Sequence, residues 1–572
     1  MRKQERLAYL ADQVAKSDKS GDNCKSLAHG PLPTRVVEIL GDGKLRIRCP
    51  DPGTKEPYTI LSYCWGGPQT FATNSASLEA RKSGFTLSDL PRTLQDAVEV
   101  SQSIGIHHLW IDSMCIVQDS ADDKATEIPQ MAAYYNQAYL TICASGSTCD
   151  SGFLDDRNIC KVHGDTNPFS VDLVPMGHVH YQTEGSGLRS LLKAARSLSR
   201  SGTNSRPGFA DEEAVFTNVA APLGTLLKST VFVRAQPEYA PSHEPISTRA
   251  WTLQERVLST RTIFFSPFHA VWESPTQWTS AGGTHVWQDD HRESSLHNLR
   301  KFLVKDSPSP TTNETWSLWY DAVEDFTARD MSVPSDKFPA ISALARTFGD
   351  RTSGEYLAGL WKQDLPRGLL WTTHPIPTPK RADEWRAPSW SWASVDNEVS
   401  WRGLPPANAI QLASVQRCEV VPKNQDDLFG EISSATLEIV GVVLVVQPHQ
   451  IADLVRREMR LPTVQDSKEW REKEMRRLHM KEQGQLGDRE TWSPPEYSAL
   501  LPLFAVPKIP PNMDASTDLD PSTECNLCGL LLEILIDKGQ IRRAGTFSTI
   551  PARLGDLDKY KSRPGAGAVA II

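Results

Sequence analysis

Long apolar runs are missing from this chain of 572 residues. The longest, Ile439-Val-Gly-Val-Val-Leu-Val-Val446, is strand-sized and far short of the ~18 residues a membrane helix needs, so no membrane span is expected. Excess positive charge is missing too: 61 Lys and Arg against 70 Asp and Glu leave a net charge of -9. That balance argues against nucleic acid, because phosphate binding needs clustered cations. The start, Met1-Arg-Lys-Gln-Glu-Arg6, lacks the apolar core of a secretory signal, and a cytoplasmic protein is expected. There is no G-x-x-x-x-G-K-[ST] phosphate loop, no H-E-x-x-H zinc motif and no G-x-S-x-G nucleophile elbow, so no nucleotide-hydrolysing switch or hydrolase signature is legible. No Ser/His/Asp set can be assigned from spacing alone. Clustered cysteine is scarce: Cys525-Asn-Leu-Cys528 is the one close pair among ten cysteines. A structural zinc site needs four ligands, so no metal is expected, and two reduced thiols opening a strand is the simpler reading.

Three short apolar runs organise the first part of the chain: Tyr58-Thr-Ile-Leu-Ser-Tyr-Cys-Trp-Gly66, Leu109-Trp-Ile-Asp112 and Tyr139-Leu-Thr-Ile-Cys-Ala144. Each ends on small, polar or aromatic residues. Between the first two lies a helix signalled by Ser88-Asp89 and Pro91, with Leu94, Ala97, Val98, Ser101 and Ile104 on one face and Gly105 as its stop. A second helix presents Ile128, Met131, Tyr135 and Ala138, and Pro129 must sit in its first turn or kink it. Strand–helix–strand–helix–strand is the rhythm of a parallel α/β sheet. Ligands in such sheets sit outside the carboxyl ends of the strands, which here read Ser62-Tyr63-Cys64-Trp65-Gly66, Asp112-Ser113 and Ser145-Gly146.

Three ordered blocks carry a resemblance: Ser62-Tyr-Cys-Trp-Gly66, Leu109-Trp-Ile-Asp-Ser-Met-Cys-Ile-Val-Gln118 and Arg249-Ala-Trp-Thr-Leu-Gln-Glu255. The chain resembles fungal heterokaryon-incompatibility (HET) domain proteins, strongly in its first half and loosely beyond, where Ala387-Pro-Ser-Trp-Ser-Trp-Ala-Ser394 matches a segment that often follows the domain. The HET domain is in turn distantly similar to the Toll/interleukin-1 receptor (TIR) domain. The fold class this implies is α/β: a TIR/flavodoxin-like parallel sheet core with a large insertion, then a helical segment and a β-rich C-terminal region. Length alone suggests about three or four domains. The expected layout is an adaptor over 1–57, the HET domain over 58–275 with an insertion at about 151–245, a Trp-rich helical region over 276–404, and a β-rich region over 405–572 carrying a charged insert at about 453–493.

Trp316, Trp319, Val323 and Phe326 share a helical face and belong to a core. Trp385, Trp390 and Trp392, large rings among prolines, are expected to anchor a connection. Ala435–Leu444 and Gly529–Ile536 read as strands, the latter turning at Asp537-Lys-Gly539 into a hairpin. Ser197–Gly208 and Pro507–Thr523 have loop or linker composition.

The resemblance implies a role in fungal non-self recognition, with growth arrest or programmed cell death on contact with an incompatible partner. Two biochemical readings remain open. In one the protein is an NAD glycohydrolase with NAD as substrate and no cofactor. Glu255 corresponds to the glutamate that TIR enzymes need, Tyr63 or Trp65 would stack on the nicotinamide, and Gly66, Asp112 and Arg249 would complete the pocket. A carboxylate there would stabilise the oxocarbenium ion of glycosidic cleavage or position the ribose hydroxyls. In the other, the domain is a non-catalytic module acting by self-association, a homo-oligomer, or through a partner protein. The residues themselves allow plainer roles: Glu255 paired with Arg249, Arg256 or Arg261, Asp112 accepting backbone N–H groups of its own turn, and Trp65-Gly66-Gly67 as a tight turn.

Overall fold

The computed structural model describes residues 3–19, 30–154, 171–173, 229–231, 244–281, 291–304, 312–374, 381–446, 498–507, 522–535, 540–553, 557 and 569–571, apart from 68, 70, 147, 267–269, 276 and 407. The charged insert at 453–493, the polar stretch 197–208, most of 507–523 and the turn 537–539 lie outside these described residues. The chain divides into two compact units, Met1–Leu154 with Pro241–Ile572, and Asp155–Ala240.

The first unit begins with β1 (Val36–Gly41), β2 (Lys44–Arg48), β3 (Thr59–Tyr63), β4 (Phe85–Thr86), β5 (His108–Trp110) and β6 (Leu140–Ala144). In the second unit β7 (Val171–Leu173) pairs antiparallel with β8 (Ser229–Val231). The first unit resumes with β9 (Thr262–Phe265), β10 (Ala270–Glu273) and β11 (Trp278–Ser280). Nine strands form one sheet in the order β11-β10-β9-β6-β3-β5-β1-β2-β4. Its centre, β9, β6, β3 and β5, is parallel; the strands outside it pair antiparallel. The α/β class read from the sequence is therefore present, as a mixed sheet with a parallel centre. β3 and β6 are buried at every position, as strands covered on both faces must be. β3 has β5 on one side and β6 on the other, so the chain winds away from it in both directions. That is the switch point at which an open α/β sheet leaves a crevice.

The helix Arg92–Ser103 buries Leu94, Ala97, Val98 and Ser101, the face its periodicity indicated. The second expected helix is broken. Ala121–Glu127 and Met131–Gln137 are separated by a tight turn, Ile128–Gln130, because Pro129 offers no N–H to a continuous helix. Residues ahead of 58 contribute β1 and β2 to the sheet, and the helix Lys3–Lys19 is tied down by Arg6, which donates to the carbonyls of Phe153 (2.8 Å) and Ser266 (3.0 Å).

The helix Trp251–Leu258 joins the sheet to the rest of the unit. Its Leu253 and Val257 enter a core that continues through Trp319, Phe326 and Phe348 to Leu437, Leu501 and Leu530. Trp316, Trp319, Val323 and Phe326 are all buried there, as their spacing indicated. Buried indoles need a partner for N–H, and Trp319 and Trp392 both donate to the carbonyl of Gly359 (3.0 and 2.8 Å). Trp390 and Trp392 are fully buried, but Trp385 is 55% exposed and anchors nothing, contrary to expectation. Its neighbours on the 381–387 stretch are polar or small and give its ring no apolar wall. Beyond 405, strands Ser498–Pro507, Glu524–Leu535 and Gln540–Arg553 form successive antiparallel pairs. Ile432–Val440 lies between Ser414–Pro422 and Val569–Ile571. Cys525 and Cys528 are both buried in the second of these strands. No helix among the described residues is long and apolar enough to cross a membrane.

Candidate functional site

The carboxyl ends of β3 and β5 and the helix Trp251–Leu258 meet at the switch point. Ser62, the penultimate residue of β3, is 5% exposed and donates from Oγ to Glu255 Oε2 at 2.5 Å. Glu255 is half-buried on the second turn of its helix. From the other side Tyr135, on the helix Met131–Gln137, donates its hydroxyl to the Leu61 carbonyl at 3.4 Å and lies close enough to Glu255 and Ser62 to be affected by both.

Asp112 follows β5 and opens a single helical turn, Asp112–Cys115. One of its oxygens accepts the Trp65 indole N–H at 2.8 Å, and the other accepts the Ser113 N–H at 2.6 Å. Its carboxyl is pushed up to about 6, first by burial and next by the negative charge of Glu255, with Trp65, the Ser113 N–H and Arg249 pulling the other way. Two carboxyl groups thus share one crevice, and the charge of one raises the proton affinity of the other. Asp112 accepts a backbone N–H of its own turn through one oxygen, as the plainer reading had it, and holds a half-exposed aromatic ring with the other.

Arg249 does not neutralise Glu255 directly. Its guanidinium donates to the carbonyl of Tyr63 at 2.8 Å and its charge acts on Asp112 and on the Cys64 thiol. Burial raises the Cys64 thiol, and Arg249 opposes that shift. The other suggested partners of Glu255 are engaged elsewhere: Arg256 with Glu273 and Glu293, Arg261 with Asp18.

Tyr63 faces away from the crevice. It is 3% exposed, packs in the core beneath the sheet, and donates to Ser113 Oγ at 2.8 Å, so its ring offers no stacking face; Trp65, half-exposed, does. Gly66 has φ +72°, and a Cβ there would stand 2.7 Å from the Thr148 side chain, so the position requires glycine whatever binds above it. The cavity that touches Ser62 measures about 10 Å³, room for roughly one water.

Residues 58–255 match the model of the heterokaryon incompatibility protein family, HET. The chain carries a HET domain. No curated protein and no solved structure matches it. The HET match opens one residue before β3 and closes on Glu255 itself, so Ser62, Trp65, Asp112, Tyr135, Arg249 and Glu255 all belong to the HET domain. Of the residues singled out in the sequence, the structure brings Trp65, Asp112, Arg249 and Glu255 near one another. Sequence reasoning passed over Ser62, although that serine opens the S-Y-x-W-G block, and it assigned Tyr135 to a helix face without asking where the hydroxyl went. A buried tyrosine must place its O–H on a partner, and that was the available signal.

Proposed function

We propose that this HET-domain protein acts in heterokaryon incompatibility by cleaving NAD at the nicotinamide–ribose bond, with Glu255 as the essential carboxylate. The observation that carries the reading is the Ser62–Glu255 hydrogen bond at 2.5 Å beside Asp112 at the sheet's switch point. In the step envisaged, the bond from ribose C1′ to the pyridinium nitrogen breaks and its electron pair leaves with neutral nicotinamide. Water then adds to C1′ and releases one proton, giving ADP-ribose. Glu255 stabilises the positive charge that develops on the ribose, which is where a fixed carboxylate contributes most. Ser62 fixes the rotamer of Glu255, Trp65 supplies an aromatic face held in place by Asp112, and Arg249 stands where a pyrophosphate could be drawn in. The resemblance to TIR domains read from the sequence block Arg249–Glu255 points to the same assignment.

The alternative reading is the non-catalytic association module. Expression in a fungal host separates the two. Under the enzymatic reading, wild-type protein arrests growth and lowers cellular NAD, and Glu255→Gln at equal abundance does neither. Growth arrest by Glu255→Gln equal to wild type, with NAD unchanged in both, would sink it.

A further inference from the structure

A second concavity lies among the described residues of the C-terminal part of the unit. A cleft of about 390 Å³ opens between the 381–394 segment, strand Ile432–Val440 and the facing ends of strands Glu524–Leu535 and Gln540–Arg553. Arg381, Arg386 and Arg542, the carboxylate of Glu384, the serines 433 and 434, and the ring of Trp385 line it. Counting the buried Arg543 behind the wall, four arginines face three carboxylates, Glu384, Asp396 and Glu533, which leaves one positive charge over. Arg386 pairs with Asp396 at 2.7 Å and Arg542 pairs with Glu533. Arg381 donates to the carbonyl of Arg543, and the carboxylate whose charge reaches it, Glu533, is already taken by Arg542. Behind the wall, Arg543 is 2% exposed; its guanidinium lies 3.5 Å over the Trp371 ring and donates to the Trp371 carbonyl, and its backbone N–H donates to Ser389 Oγ at 2.9 Å. Its Nε has no partner among the described residues. Burial, and then the charge of Arg381, weaken its hold on its proton, with no carboxylate opposing them.

Buried cations without counter-ions are costly, and an anion in the cleft would relieve that cost. Arginine forks suit the oxygens of a phosphate better than a single carboxylate charge. The volume falls in the range of small-molecule sites, roughly 300–1,000 Å³. Trp385 is the one aromatic among the exposed large hydrophobics of the described residues, and it stands on the rim of this cleft. We propose that the cleft binds a small phosphorylated molecule carrying a planar ring, with the phosphate between Arg381 and Arg542 and the ring against Trp385.

Adenosine monophosphate and inorganic phosphate, titrated calorimetrically into the full-length protein at low salt, test this. AMP should bind saturably, and phosphate more weakly. Trp385→Ala should weaken AMP by roughly tenfold or more, the usual worth of a base–aromatic stack, and leave phosphate unchanged. Arg542→Gln and Arg381→Gln should weaken both probes. Because Arg381 also ties down the Arg543 carbonyl, the exposed Trp385→Ala and the part-exposed Arg542→Gln carry the test if Arg381→Gln fails to fold. Glu255→Gln should leave AMP binding unchanged, which separates this cleft from the strand-end site. Absence of saturable AMP binding overturns the proposal, as does binding that survives both Trp385→Ala and Arg542→Gln or that disappears with Glu255→Gln.

Discussion

Replacing Glu273 by Gln should destabilise the protein severely, although Glu273 touches nothing at the strand ends. Glu273 is fully buried at the end of β10 and receives Arg256 Nε at 3.1 Å and Arg300 Nη1 at 2.7 Å. Arg256 reaches on to Glu293 at 2.5 Å. Two buried arginines and two buried carboxylates thus close a network joining β10, the helix Trp251–Leu258 and the helix His291–Leu303. The amide keeps the size of the side chain but removes one negative charge, leaving two interior cations against Glu293. Breaking a buried pair in this way costs about 3–5 kcal/mol, a large part of the roughly 5–15 kcal/mol that stabilises a typical domain. Burial alone would raise the Glu273 carboxyl, but Arg256 and Arg300 outweigh it and hold it below its usual 4.5. Its contribution is therefore full above pH 4.5 and is lost as pH falls through the lowered value in the fold. Urea unfolding followed by tryptophan fluorescence, at neutral pH and again near pH 3, measures the difference. Glu419→Gln, in the exposed pair with Arg417, serves as the control and should cost under about 1 kcal/mol. A neutral-pH loss from Glu273→Gln no larger than the control's, or one that persists undiminished in acid, would refute the reasoning.

Asp112→Asn tests the opposite sign. A carboxyl raised from 3.8 to about 6 adds stability that is full below pH 3.8 and gone as pH rises through 6. The wild type should lose at most ~3 kcal/mol over that window, and the Asn variant should lack this fall when urea midpoints are compared across pH. Trp65→Phe removes an N–H that favours the ionised Asp112, so the fall should extend to higher pH and deepen; an unchanged or lower upper limit contradicts the assignment. Gly359→Ala should cost about 2 kcal/mol or more, because Gly359 has φ +94° and its added Cβ would lie 2.5 Å from Trp392 Nε1. Near-ultraviolet circular dichroism should report disturbed indoles, and an unaltered spectrum with unaltered stability would count against the double indole clasp on that carbonyl.

Much of the centre of the fold was legible because burial on both faces writes itself as short runs such as Thr59–Tyr63 and Leu140–Ala144. The helix Arg92–Ser103 was legible because its apolar spacing and its Pro91 and Gly105 boundaries agree. The antiparallel edges were harder: β4 is two residues long, and strand direction at an edge depends on pairing distant in sequence. At the site, Asp112 and Glu255 could be nominated from motif order, but their mutual charge effect depends on a packing angle that spacing does not encode. Trp385 shows the same limit from the other side, since three tryptophans in one Pro-containing stretch look alike until burial divides them. The cationic cleft was invisible for the same reason, its arginines being drawn from positions 381 and 542.

The most direct test of the central claim is nicotinamide release by the purified chain, concentrated to favour assembly, with wild type beside Glu255→Gln and circular dichroism confirming that both are folded. The account predicts release by the wild type and its loss in the variant, with Ser62→Ala intermediate because it frees the Glu255 rotamer without removing the carboxylate. A folded wild type that releases no nicotinamide, or a Glu255→Gln variant that releases it at the wild-type rate, would contradict the account.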